Sequence, residues 1–326
     1  MLPHLTANWV QMWKGRHVGQ DVHVFIKPSK SEPGATGEKS SWSTKLSWST
    51  KLSQRKIYLE SNTKPRFDNS ADFDAIRLLA SKSYLCSMSV PFLIGGVNEG
   101  QFTENLLLLC PNISVRGFEI QSSVFSSVQR RMEGKANVKL YNVGWGEHSE
   151  SGLTIGGAAG HAGLFNPTGR FESWGIQKDK ASIVAMSQWC DQHNITRTAY
   201  VVIDVEGFEP KVLRGMLLEE IANQKRFPHF QFELGGTWAA RDPRHGGPQE
   251  WSQYEAAAYV DRCGYLLFLI GTDGWLHVSP QFFKAGPHML EEQGNGKFVQ
   301  GNLLCLHSKY SENHIMNTVF QHLIRS

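Results

Sequence analysis

The chain has 326 residues, 40% hydrophobic and 19% charged, the make-up of a folded globular protein with one large or two ordinary domains. A formal net charge of +3 is too small to draw it to nucleic acid or a membrane surface by field alone. No apolar run approaches the roughly 18 residues needed to span a bilayer, and MLPHLTANWVQMWKGRH at the start lacks the continuous apolar stretch of a secretion signal.

Residues 1–70 read as an extension with little fold of its own. Within it, residues 28–56 are rich in Pro, Ser, Gly, Thr and Lys, and SWSTKL occurs twice in tandem, at 41–46 and 47–52. Two six-residue copies are too few and too short for a solenoid, so a local duplication in a flexible segment is expected. From 71 to 308 helical and strand patterns alternate. DFDAIRLLASKSY carries apolar residues at helical spacing behind Asn69-Ser70, a plausible cap. PFLIGGV then reads as a strand, EGQFTENLLLLC as a helix, VRGFEI as a strand, SSVFSSVQRRM as a helix and VKLYNVG as a strand. MSQWCDQHN is a short helix, AYVVIDV a strand, PKVLRGMLLEEIANQ a helix, HFQFEL a strand and WSQYEAAAYVDRCG a helix. YLLFLIG, GWLHVS and NLLCLH close the series as a strand pair and a return strand, and residues 309–326 are left as a tail. This order predicts an α/β fold with a doubly wound, mostly parallel sheet and an antiparallel edge strand.

The five cysteines are odd in number and widely spaced, with no CxxC, so neither a disulfide framework nor a zinc site is expected. A reducing, cytoplasmic setting is the matching expectation.

In an open α/β sheet ligands gather at the carboxyl ends of the strands. Three features fall there. GGVNEGQF, residues 95–102, has glycines that let the backbone turn tightly and approach a ligand, ahead of a helix amino terminus. Its glycine spacing is neither GxGxxG nor a Walker A loop. Glu119 ends VRGFEI about 20 residues on, the spacing at which nucleoside-binding folds set an acid on the ribose hydroxyls. YVVIDVEGFEPKVLRG, residues 200–215, puts Asp204, Glu206 and Glu209 after four apolar residues. Asp204 and Glu206 alternate by two and so share one side of the ending strand, with Asp204 expected to be partly buried. Glu209 opens a helix, and a first-turn acid there has a structural explanation in the helix dipole.

These residues resemble a known family. IDVEGFEPKVLRGM is similar to the (K)IDxEGxExxVLxG strand and helix of the FkbM-type methyltransferases. IGGVNEGQF resembles their DVGANxGxF loop, RGFEIQSSVF their FEP-x-x-x-x-F segment, and NVGWGEHSESGLTI the turn and hairpin after their third strand. The blocks keep the family's order over roughly residues 70–308, with Ile94 in place of the loop's first acid and Ile120 in place of a proline. The resemblance implies a class I fold that binds S-adenosylmethionine and O-methylates a hydroxyl on a sugar or other small metabolite. By the same resemblance, Gly96, Asn98 and Gly100 line the methionine end of the cofactor and Glu119 holds the ribose. Asn142 to Gly144 lie near the adenine, and Asp204 faces the methyl group and the acceptor hydroxyl.

Deprotonating that hydroxyl takes a carboxylate or histidine within hydrogen-bond reach. Asp204 is the first choice, Glu206 the second, and His161, in the glycine-rich GGAAGHAGLF, a third that would reach in from a lid. Arg241 and Arg244 lie after HFQFEL, where an acidic acceptor would rest. The expected partner is a small-molecule or glycan acceptor, not nucleic acid or membrane, and no residue pattern sets an oligomeric state. No metal is expected. Asp204 and Glu233 would suit magnesium, but no third ligand stands at a fixed spacing. A non-catalytic binding protein on the same fold is the alternative reading.

Overall fold

A computed structural model of the chain describes residues 72–81, 84–156, 163–164, 178–234, 251–271, 274–283 and 301–325, together with the strands β1 (Val10–His17), β2 (Gln20–Ile26) and β3 (Tyr58–Leu59). The SWSTKL repeat, His161, Arg241 and Arg244 lie outside the described residues. β1 pairs antiparallel with β2, and β3 adds to β2, so the segment expected to have little fold of its own contains a small sheet. Val22, Val24 and Ile26 alternate with the period of a strand, a signal that the composition of the longer segment masks.

Helices α1 (Asp72–Ser81) and α2 (Tyr84–Ser87) lead into β4 (Phe92–Gly95), α3 (Gln101–Leu109), β5 (Val115–Phe118), α4 (Ser122–Arg131) and β6 (Val138–Tyr141). A side sheet follows, made of β7 (Gly144–Gly146), β8 (Glu150–Gly156), β9 (Gly163–Leu164) and β10 (Lys178–Ala185), in the order β7-β10-β8-β9. Then come α5 (Met186–Gln192), β11 (Tyr200–Ile203), α6 (Glu209–Gly215), α7 (Ile221–Arg226), β12 (His229–Leu234) and α8 (Gln253–Arg262). The chain continues through β13 (Tyr265–Gly271), β14 (Gly274–Val278) and β15 (Gly301–His307) to α9 (Asn313–Arg325).

The main sheet has eight strands in the order β14-β13-β15-β12-β11-β4-β5-β6. Pairings from β12 through β11, β4 and β5 to β6 are parallel, whereas β15 runs antiparallel to both β12 and β13, and β14 runs antiparallel to β13. This is the doubly wound, mostly parallel sheet of the class I methyltransferase fold that the motifs led us to expect. β14 supplies the antiparallel edge, while the return strand β15 is not at the edge but inside the sheet.

Alternate residues of the central strands enter different cores. Leu93, Val201, Ile203, Phe230 and Phe232 pack in one, with Met186, Trp189, Val212 and Ala256. Phe92, Ile94, Tyr200 and Val202 pack in the other, with Ala75, Leu106, Val128 and Ile315. Each such large apolar side chain, fully buried, stabilises the fold by about 1.5–3 kcal/mol. Ile94, which stands where the family's loop begins with an acid, is 1% exposed and belongs to this second core.

Three expectations need correction. PKVLRGMLLEEIANQ is two helices, not one. Leu217 takes the left-handed φ of 51°, which stops α6, and its carbonyl accepts from Asn223 Nδ2 at 3.2 Å as the chain re-enters α7. The tail includes α9, whose Ile315, Met316 and Val319 are buried in the second core. Lastly, Cys86 and Cys110 form a disulfide, with Cα atoms 4.8 Å apart, between α2 and the residue that ends α3. Their separation of 24 residues makes no local motif, so only the packing of the helices reveals the pair. Cys190, Cys263 and Cys305 are free and buried.

Candidate functional site

β4 is flanked by β5 on one side and β11 on the other, so the chain leaves it in opposite directions and opens a crevice at the carboxyl ends. The loop after β4 fills one wall of it. Gly96 sits at φ 80°, and a Cβ there would come within 1.8 Å of the Asp204 carbonyl oxygen. Gly100 sits at φ 84°, where a Cβ would meet Val128 and Met132 at 2.6 and 2.7 Å. Only glycine fits either place. Asn98 between them also has a positive φ, of 50°. The backbone N–H groups of Gly96 and Val97 both donate to the Phe118 carbonyl at 3.0 Å, and that of Asp204 donates to the Gly95 carbonyl at 3.1 Å. The loop is thereby pinned between β5 and β11.

Glu119 lies directly beyond β5 and is 7% exposed. Its Oε2 accepts from the Asn98 N–H and its Oε1 from the Gln121 N–H, both at 2.9 Å. Burial pushes this carboxyl above its ordinary range, those N–H groups pull it back, and the charge of Asp204 adds a small upward push. A carboxylate has about four acceptor sites, so a vicinal diol would find acceptor capacity on oxygens already oriented by these N–H groups. Asn142 Nδ2 donates to the carbonyls of Glu119 and Ile120, at 2.9 and 3.3 Å. Gly144 presses on Ile120, whose Cδ1 lies 2.7 Å from where a Cβ would be. Thus Asn98 and Asn142 both bond to Glu119 and Gly144 packs on its neighbour Ile120, while Gly96 and Gly100 shape the loop that carries Asn98.

At the end of β11 the expected burial of the acids is reversed. Asp204 is exposed, Glu206 half-buried, and Glu209 has no exposed surface. The strand stops at Ile203, so its alternation does not carry through to Glu206. Instead, Glu206 and Gly207 form a turn with φ of 55° and 94°. A non-glycine residue at positive φ stores strain, which is a common companion of function. Glu209 is more than a first-turn acid. Its Oε1 accepts from the Val205 N–H at 2.8 Å, and its buried Oε2 has no hydrogen-bond partner among the described residues. Burial pushes the carboxyl up to about 8, with Asp204 and Glu206 adding repulsion. Glu233, near the end of the adjacent β12, is 7% exposed. One carboxylate oxygen from each of Asp204, Glu209 and Glu233 lies within 4.8 Å of the others. The apolar neighbours Phe208, Val212 and Leu213 are the sequence signal that Glu209 is inward-facing.

In sequence, no family model and no curated protein match the chain. Solved structures match it in shape. A SAM-dependent methyltransferase from Aquifex aeolicus is 12% identical over 74% of this chain and 94% of its own, with a TM-score of 0.35. The N-terminal domain of EvdMO1, solved in the presence of SAH and D-fucose, is 13% identical over 74% of this chain and 84% of its own, also with a TM-score of 0.35. The longer EvdMO1 chain is covered over 40% of its length. Magnesium protoporphyrin IX methyltransferase from Synechocystis PCC 6803, with bound SAM, is 9% identical over 73% of this chain and 78% of its own, at a TM-score of 0.35. At such TM-scores these likenesses carry no weight for function, which rests on the residues of the crevice.

Proposed function

We propose that the chain binds S-adenosylmethionine in the crevice beside β4 and methylates a hydroxyl of a sugar or other small metabolite. The observation that carries this reading is Glu119, whose two oxygens are oriented by the Asn98 and Gln121 N–H groups next to a glycine loop too tight for any other residue. Glu119 would accept from the ribose hydroxyls, Gly96, Asn98 and Gly100 would line the methionine end, and Asn142 to Gly144 the adenine. The cofactor supplies a methyl group already activated by its sulfonium.

What remains for the protein is to position the reactants and handle one proton. Asp204 is exposed just beyond β11, two strands over from Glu119 across β4, and would take or orient the proton of the acceptor hydroxyl. Glu206, held in its strained turn, would shape the pocket. His161 remains a candidate of the sequence alone.

The test is calorimetry with S-adenosylmethionine, followed by mass spectrometry of metabolite extracts given protein and cofactor. Saturable binding and a metabolite gaining one methyl support the reading; absence of cofactor binding refutes it. Binding without transfer would favour a non-catalytic protein on this fold. The specific observation behind that second reading is Ile94, which leaves the loop's first position apolar and buried.

A further inference from the structure

Three carboxylates in mutual reach, one of them fully buried, need a positive partner or protons to coexist. The oxygens of Asp204, Glu209 and Glu233 lie within 4.8 Å of one another, and ligands bound at about 2.0–2.4 Å around one hard cation stand about 3–4.8 Å apart. A second observation is independent of the clustering. Glu209 is 0% exposed, and its Oε2 has no hydrogen-bond partner among the described residues, although its Oε1 is held by the Val205 N–H. An oxygen buried in this way costs its full desolvation unless something accepts its charge.

We infer that Asp204, Glu209 and Glu233 hold one divalent cation of the magnesium type. The donors are all hard oxygens, with no imidazole or thiolate among the three, which favours magnesium, manganese or calcium over zinc or copper. The scaffold is rigid. Asp204 follows β11, Glu209 opens α6, and Glu233 belongs to β12, the parallel neighbour of β11. Three protein ligands leave open positions, and Asp204, the exposed one, sets those positions toward the crevice mouth. Its backbone carbonyl is the atom that Gly96 must pass, so the cation lies beside the glycine loop.

Cation binding follows from this geometry alone. Its consequence for catalysis rests on the methyl-transfer reading. An acceptor hydroxyl in an open position would be made more acidic by the cation's charge. Asp204 would then act by holding the cation, and the proton would leave to solvent at the exposed mouth.

The experiment uses the full chain, stripped with EDTA, dialysed to pH 8 and titrated with Mn2+ while free Mn2+ is followed by electron paramagnetic resonance. One Mn2+ per chain should bind and be displaced by Mg2+. Asp204→Asn and Glu233→Gln, the two variants at the more accessible ligands, should each weaken it at least ten-fold, with thermal melts confirming that both are folded. Glu209→Gln should do the same if it folds. No saturation at millimolar Mn2+, or unchanged affinity in both folded variants, would overturn the inference and leave the three acids held by shared protons. Calorimetry with S-adenosylmethionine on the same EDTA-treated sample separates the two proposals. Cofactor binding without Mn2+ binding sinks the cation alone, and the converse sinks the methyltransferase reading alone.

Discussion

Replacing Glu119 with glutamine tests the cofactor assignment most directly. The native carboxylate accepts two backbone N–H groups, from Asn98 and Gln121, each at 2.9 Å and each on a different oxygen. A carboxamide has one oxygen. Whichever way it turns, its NH2 faces a backbone donor, and it loses half of its acceptor sites for the ribose. Hydrogen bonds to a charged group contribute about 1.5–3 kcal/mol, or about 10- to 150-fold in affinity. The backbone donor left without an acceptor also costs folding stability, offset in part because the amide removes the desolvation penalty of the buried carboxylate. The assay is calorimetric titration with S-adenosylhomocysteine, which binds without turnover, alongside a thermal melt. A folded Glu119→Gln chain that bound within two-fold of the parent would refute the ribose assignment.

Asp204→Asn should lower turnover by about 10²–10⁴ while leaving S-adenosylhomocysteine affinity unchanged; full turnover would move the critical proton acceptor or cation ligand elsewhere. Gly96→Ala places a Cβ 1.8 Å from a backbone oxygen at φ 80°, so it should destabilise by at least about 1–2 kcal/mol in urea unfolding and abolish cofactor binding. Replacing Cys86 and Cys110 by serine should cost about 2–4 kcal/mol of stability in the oxidised chain, given the 24-residue separation, and an unchanged melt in oxidant and reductant would show that the bond is not formed. Burial holds His307 down at about 4 against an ordinary 6.5, so it is neutral when folded and the unfolded chain binds the proton first. That contribution to stability is complete above pH about 6.5 and is lost as pH falls toward 4, so melts across this window should decline less steeply in His307→Asn.

The parallel half of the sheet was legible because PFLIGGV, VRGFEI and AYVVIDV are short apolar runs closed by glycine or an acid, and each is flanked by a helical period. The place of Glu119 at a strand end facing the glycine loop was legible from the spacing of the two motifs. Much less legible was anything that depends on where the chain folds back. Asp204 follows an apolar strand yet is exposed, because β11 ends at Ile203 and the turn at Glu206 and Gly207 breaks the alternation. Glu209 carries the mark of a helix start, and its burial left only an indirect trace, the apolar Val212 and Leu213 one turn further along α6. The Cys86–Cys110 bond, and the meeting of Glu209 with Glu233, join residues 24 apart in both cases and leave no periodic trace. The hairpin at β1 and β2 was hidden by averaging over a longer polar segment.

The position of β15 has a consequence for the chain as it is being made. Residues 301–307 lie between β12 and β13, which emerge from the ribosome well before them. Until they arrive, the growing chain has a parallel half ending at β12 and a β13–β14 hairpin, each with an open strand edge, and no way to join them. Every residue from Gly301 to His307 is buried once in place, so this late wedge also completes both cores. Closing a sheet through its last strand raises contact order and delays the final step of assembly. In that interval the two unpaired edges can recruit other nascent chains. A stop or pause ahead of residue 301 would leave them open, so the yield of native protein depends on Gly301–His307 reaching the nascent chain in time.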